Sequence, residues 1–135
     1  MGRIVAQAGR TVTVEVGELQ KILGVFNDRS GAKASAVVTR SGVPVAWVLP
    51  DGSHADNLGT MAATLLGALD VIFSGFGREA PAEVAVQSSS GAIVARNVTD
   101  KAFLFAVADR ITPEFERELA KTVGQARQYL GADVD

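Results

Sequence analysis

The sole histidine, His54, stands between Asp51 and Asp56, a grouping that invites a metal site or a general base. Either role needs further convergent ligands, and the chain holds no second histidine and no cysteine to supply them. A solvated loop histidine accounts for the same residues. Ser88, Ser89 and Ser90 precede Gly91 without a G-x-S-x-G elbow or a histidine partner, so they read as a turn. No G-x-x-x-x-G-K-S/T run occurs, which excludes a P-loop hydrolase. The stretch GFGRE, Gly75 to Glu79, closes a helical pattern instead of opening one, the wrong end for cradling phosphate. Arg78, Arg96 and Arg110 have the chemistry to reach a partner's nucleotide in trans, yet nothing singles one out from ordinary solvated arginines. The expectation is a non-enzyme with no catalytic, cofactor or metal site.

The stretch that organises the chain is Leu58 to Phe76, in which Asp70 is the only charge. On a helical wheel Leu58, Met61, Leu65, Leu66, Leu69, Ile72, Phe73 and Phe76 fill one broad face, expected to lie on the protein's own sheet. Thr60, Ala63, Thr64, Gly67, Asp70, Val71 and Ser74 make the opposite face, where a surface helix would carry Lys or Glu. Thr60, Thr64, Gly67, Val71 and Ser74 follow the four-then-three spacing of a helix–helix seam. A helix buried on two sides, against its sheet and against a second copy, fits best. A one-sided core helix with a thinly polar outer face is the alternative. A membrane span is disfavoured by Asp70, the glycines, the hydroxyls and the lack of a basic flank. Asp70 on such a seam must be hydrated, paired with hydroxyls or met by a partner's cation. A hydrated rim position is expected, with Asp70→Leu tightening self-association.

The elements around this helix follow from periodicity. Val12, Val14 and Val16 alternate with Thr11, Thr13 and Glu15, and Ile4-Val5 can pair back across Ala8-Gly9-Arg10 as a hairpin. A frayed tail fits the same residues. Glu18 to about Asn27 predicts a short helix with a Leu19, Ile22, Leu23, Phe26 stripe, stopped by Ser30-Gly31. Two strands follow, Ala34 to Arg40 and Val43 to Leu49, joined at Ser41-Gly42, with Pro44 placing the second at a sheet edge. After a turn-rich loop, Asp56 is the candidate N-cap of the long helix. Three strands form a meander: Ala82 to Ser88, Ala92 to Val98 and the wholly apolar Ala102 to Ala108. The last helix opens on Thr112-Pro113-Glu114, carries a Phe115, Leu119, Val123, Ala126, Leu130 stripe and stops at Gly131.

These elements predict an α+β sandwich: one five-stranded antiparallel sheet with the long helix on one face and two helices on the other. Numbering its strands in chain order, local hairpins and the doubly buried fifth strand give the order 2-1-5-4-3. The third, AEVAVQS, is left at an edge with neither proline nor lysine to discourage further pairing, so a second copy is expected there. The domain is drawn at residues 17–131, after an extension at 1–16 and before a short tail at 132–135. At 135 residues, 47% hydrophobic and 21% charged, one globular domain with its own core is expected. A net charge of −2 without a basic stripe argues against nucleic acid. MGRIVAQAGR does not read as a signal peptide, and with no cysteine a cytoplasmic protein is the expectation.

Thr39 to Phe73, TRSGVPVAWVLPDGSHADNLGTMAATLLGALDVIF, resembles the Roadblock/dynein light chain family of profilin-like folds. The order of elements matches from about Glu18 to Leu130, and the first fifteen residues depart from it. The resemblance implies a non-enzymatic homodimer that binds a Ras-like small GTPase, some bacterial members stimulating GTP hydrolysis by a gliding-motility or polarity GTPase. A structural adaptor in a motor or membrane-associated complex is the alternative it leaves open, and a small-molecule sensor a third. No cofactor, nucleic acid or membrane insertion is expected. The expected dimer interface is Thr60, Ala63, Thr64, Gly67, Val71, Ser74, Val84 and Val86. The expected partner-binding residues are Asp56, Asn57, Thr60 and Asp70.

Overall fold

The structure is a computed structural model that describes residues 3–7 and 10–130, with side chains from residue 15 onward. Ala8 and Gly9 of the expected turn, the stop at Gly131 and the tail at 132–135 lie outside the described residues. Strands β1 (Arg3–Gln7) and β2 (Arg10–Val14) pair antiparallel in a sheet of their own. Helix α1 (Val16–Ser30) leads into β3 (Ala34–Thr39) and β4 (Pro44–Val48), then the long helix α2 (Ala55–Gly75). Strands β5 (Glu83–Ser88), β6 (Gly91–Thr99) and β7 (Ala102–Ala108) precede helix α3 (Pro113–Tyr129). The main sheet is antiparallel in the order β4-β3-β7-β6-β5, which is 2-1-5-4-3 counted over its own five strands.

The apolar stripes decide the layers. Leu19, Leu23 and Phe26 of α1 and Phe115, Leu119, Val123 and Ala126 of α3 are buried together on one face of the sheet. Phe26 and Phe115 meet edge to face at 5.7 Å between ring centroids, locking the two helices together. Both faces of β7 are covered because Leu104 and Ala106 join that core while Phe103 and Phe105 join a second, smaller one under α2. The Thr112 hydroxyl accepts from the Phe115 N–H at 3.0 Å with Pro113 beginning the helix, as its sequence signature requires. Helix α1 runs further than its stripe suggested, to Gly31 at φ 80°, where a left-handed residue closes it. Asp56 is not the N-cap of α2: His54 occupies that position without a side-chain bond, and Asp56 lies in the first turn, where a carboxylate still favours the helix dipole.

Helix α2 is seated by glycine. The β3–β4 turn holds Gly42 at φ 97°, and a Cβ added at Gly59 would lie 2.8 Å from the Gly42 carbonyl oxygen. No side chain fits there, so the helix backbone rests directly on the turn, with Ala62 and Leu66 buried on the sheet beyond it. Gly59→Ala should therefore cost about 1–3 kcal/mol in urea unfolding. At Gly67, where an added Cβ meets nothing within 4 Å, alanine should be neutral or stabilising by up to about 1 kcal/mol. Equal losses at both positions would mean that α2 is not anchored through Gly59.

Candidate partner-binding surface

Because Gly59, Ala62 and Leu66 are the buried positions of α2, its faces are not distributed as the wheel suggested. Of the large apolar stripe only Leu66 is buried, and Leu58, Leu69 and Phe73 are half-buried. Met61 is 63% exposed, Ile72 53% and Phe76 78%, so much of the stripe expected on the sheet faces outward. The physical reason is the short Gly42–Gly59 approach. A helix that close to the sheet has room beneath it for glycine and alanine, and the bulky side chains are rotated away. The signal for this was in the sequence, in the spacing of Gly59, Ala62 and Leu66, but hydrophobic size outweighed it.

The expected interface residues fall on two elements. Thr60, Thr64, Gly67, Val71 and Ser74 are exposed on α2, Val71 to 71%. Ala63 is half-buried and packs into the cluster beneath the helix instead. The Thr64 hydroxyl donates to the Thr60 carbonyl at 2.8 Å and the Ser74 hydroxyl to the Val71 carbonyl at 3.1 Å. Both donors are thus satisfied within the helix, so drying this face would not strand either of them. Val84 packs partly against the α2 cluster, and Val86 on the same side of β5 is 48% exposed. Ile72, Phe73, Phe76 and Arg78 line an open depression of about 470 Å³ at the C-terminal end of α2.

The two edges of the main sheet differ. On β4, the Trp47 N–H donates to the Gln20 side chain at 2.6 Å and the Val48 carbonyl accepts from Asn27 at 3.4 Å, while Pro44 has no donor. On β5, the Ala82 carbonyl accepts from the Asn97 N–H in line with the β5–β6 register. Strand alternation then turns the backbone N–H and C=O of Glu83, Ala85 and Gln87 away from β6. Glu83 itself is tied to Arg96, which also reaches Glu116 at 3.6 Å.

Of the expected partner-binding residues, Asp56 and Asn57 are exposed in the first turn of α2 and Thr60 in the next. Asp70 is not the hydrated rim carboxylate expected. Arg40 donates to Asp70 at 2.6 Å and to the Asn97 side chain at 2.9 Å, and the Arg40 backbone N–H donates to the Lys101 carbonyl at 2.9 Å. Long-range pairs of this kind, bridging helix, turn and the β6–β7 bulge at Asn97, leave no period in the sequence. His54 is an exposed loop residue, and no group of three or more His, Asp or Glu side chains suited to a metal occurs among the described residues.

A helix this apolar is long enough to cross a bilayer, yet its first half is lodged on the sheet and Asp70 is ion-paired. The model of the Roadblock/LC7 domain family matches residues 18–108, from α1 through β7. The chain belongs to that family. No curated protein matches it in sequence. Among solved structures, Myxococcus xanthus MglB is similar with a TM-score of 0.78 at 12% identity, over 84% of this chain and 95% of that one. A Streptomyces avermitilis Roadblock/LC7 domain has a TM-score of 0.69 at 18% identity, over 82% of this chain and 95% of that one. Acanthamoeba castellanii profilin II has a TM-score of 0.51 at 19% identity, over 79% of this chain and 98% of that one. At such identities the likeness is one of fold, and this Roadblock/LC7 chain shares the profilin-like architecture.

The Arg40–Asp70 pair is partly screened, with side chains 24% and 42% exposed. Asp70→Leu should accordingly lower stability by about 1 kcal/mol, well short of a buried pair, by stranding the Arg40 guanidinium. Urea midpoints of Asp70→Leu and the double variant Asp70→Leu/Arg40→Leu check this: the second substitution should restore part of the loss. An unchanged midpoint for the single variant would show that the pair contributes nothing.

Proposed function

We propose that this protein is a homodimeric binding module that regulates a Ras-like small GTPase in the cytoplasm. The observation that carries the reading is the juxtaposition of an outward apolar α2 face with an unprotected β5 edge in a Roadblock/LC7 fold. Antiparallel pairing of β5 with its own copy would extend the sheet and bring two α2 helices onto one face around a two-fold axis. With the axis through Ala85, the outward donors and acceptors of Glu83, Ala85 and Gln87 find partners. The GTPase would then meet the rim formed by Asp56, Asn57, Thr60 and the end of α2, its hydrolysis raised by ordering its own catalytic groups. Family membership and the fold shared with MglB support this reading.

Two measurements test it. Ala85→Pro deletes an N–H that points away from β6, so it should leave the fold intact while removing two symmetric bonds between copies. A dimer dissociation constant raised by about tenfold or more is expected in sedimentation equilibrium. Gly67→Leu fits the single chain, where nothing lies within 4 Å, and should weaken the dimer by splaying the helices. Dimers unchanged by both substitutions would overturn the interface. For the partner, the immobilised protein is incubated with source lysate and either a non-hydrolysable GTP analogue or GDP. Retention of a Ras-like GTPase only with the analogue supports regulation; the same partners in both conditions would favour a structural adaptor.

A further inference from the structure

The loop between β4 and α2 holds the one place in the chain where an aspartate or asparagine is followed by glycine, Asp51-Gly52. An aspartyl Cγ and the next backbone nitrogen are spaced to close a five-membered ring, and glycine puts no side chain in the path of that nitrogen. The nitrogen must also be free of a helix or strand ladder. Asp51 and Gly52 are exposed in a turn closed by the Ser53 N–H, which donates to the Pro50 carbonyl at 3.1 Å, with Gly52 at φ 85°. The turn bond belongs to Ser53, so the Gly52 N–H has no acceptor among the described residues and the Asp51 carboxylate no cation. Asp100 and Asp109 are also exposed between elements, but the residues after them differ. Lys101 follows Asp100 with its N–H on the Thr99 hydroxyl at 3.1 Å, and Arg110 follows Asp109, itself paired with Lys33 at 3.7 Å.

We propose that Asp51-Gly52 is a site of spontaneous backbone isomerisation, the linkage passing through a cyclic imide to isoaspartate. The Gly52 nitrogen loses its proton and bonds to Asp51 Cγ, the Cγ–OH bond breaks, and one water leaves. A second water then opens the ring. Attack at Cγ restores the original chain; attack at the Asp51 main-chain carbon leaves the chain running through Cβ and Cγ, with a free carboxylate on Cα. Nothing is oxidised or reduced, and the product has the mass of the starting chain. The fold tolerates the added backbone atom because both ends of the loop are held from elsewhere. Asn27 bonds the Val48 carbonyl, and α2 is seated by Gly59 on Gly42. The new carboxylate is the group that an isoaspartyl methyltransferase esterifies, so the loop becomes a substrate for that repair chemistry. Neither the dimer nor the GTPase enters this reaction.

Ageing the full-length chain for several weeks at neutral pH and physiological temperature in heavy-oxygen water tests this. Fragmentation mass spectrometry that separates aspartate from isoaspartate should find isoaspartate carrying one heavy oxygen in place of Asp51, with Asp100 and Asp109 unmodified. Purified isoaspartyl methyltransferase with a labelled methyl donor should mark the aged chain and not the fresh one. Asp51→Glu keeps the charge but would have to close a larger ring, so the aged variant should lose both signals while its urea midpoint matches the wild type. Labelling that persists in Asp51→Glu, or isoaspartate as abundant at Asp100 and Asp109, overturns the assignment. A folded chain that stays unmodified at Asp51 overturns it too; isomerisation there only after unfolding in guanidinium chloride would show that the turn protects the linkage.

Discussion

The close approach of Gly59 to Gly42 sets the level at which α2 lies on the sheet. Nothing larger than hydrogen fits between them, because a Cβ on Gly59 would sit 2.8 Å from a backbone oxygen and 3.3 Å from Val38 Cγ1. A helix seated that low is held by Gly59, Ala62 and Leu66, a narrow and mostly small stripe. Met61, Ile72, Phe76 and much of their neighbourhood are turned to the outside as a consequence. The outward apolar surface of α2 is thus a by-product of tight packing beneath the helix. Substitutions under α2 and substitutions on top of it should have separable effects.

Polar contacts hold the same arrangement in register. Arg40 leaves the end of β3 and spans to Asp70 on α2 and Asn97 at the β6 bulge, three elements that share no local sequence. Its worth lies in direction more than in energy, since partly exposed pairs contribute little. It fixes where α2 crosses the sheet. Beyond Asp70 the helix is largely exposed up to Phe76, where Ile72, Phe73 and Arg78 shape the open depression.

The sheet distributes its liabilities unequally. The β4 edge is shielded by side chains of α1 and by a proline, while β5 presents uncapped backbone groups next to exposed Val86. Proteins generally blunt free edges, and the β5 side of this sheet lacks the proline and side-chain bonds that β4 carries.

How legible all this was in the sequence depended on the range of the forces involved. Strand alternation, the Thr112-Pro113 helix start, the Gly31 stop and the wholly apolar β7 are local signals, and from them the order of the sheet and the distribution of helices followed. The residues from Thr39 to Phe73 carried the Roadblock resemblance that the family match to residues 18–108 bears out. The orientation of α2 was not legible. A helical wheel ranks faces by hydrophobicity, but which face is buried depends on how near the sheet comes, and that is decided by a glycine in a turn seventeen positions away. The partner of Asp70 was hidden for the same reason, since Arg40 reaches it only after β3, α2 and β6 have been assembled. Periodicity by itself determined the elements and their layers; the close contact between distant backbones decided which surface the protein presents.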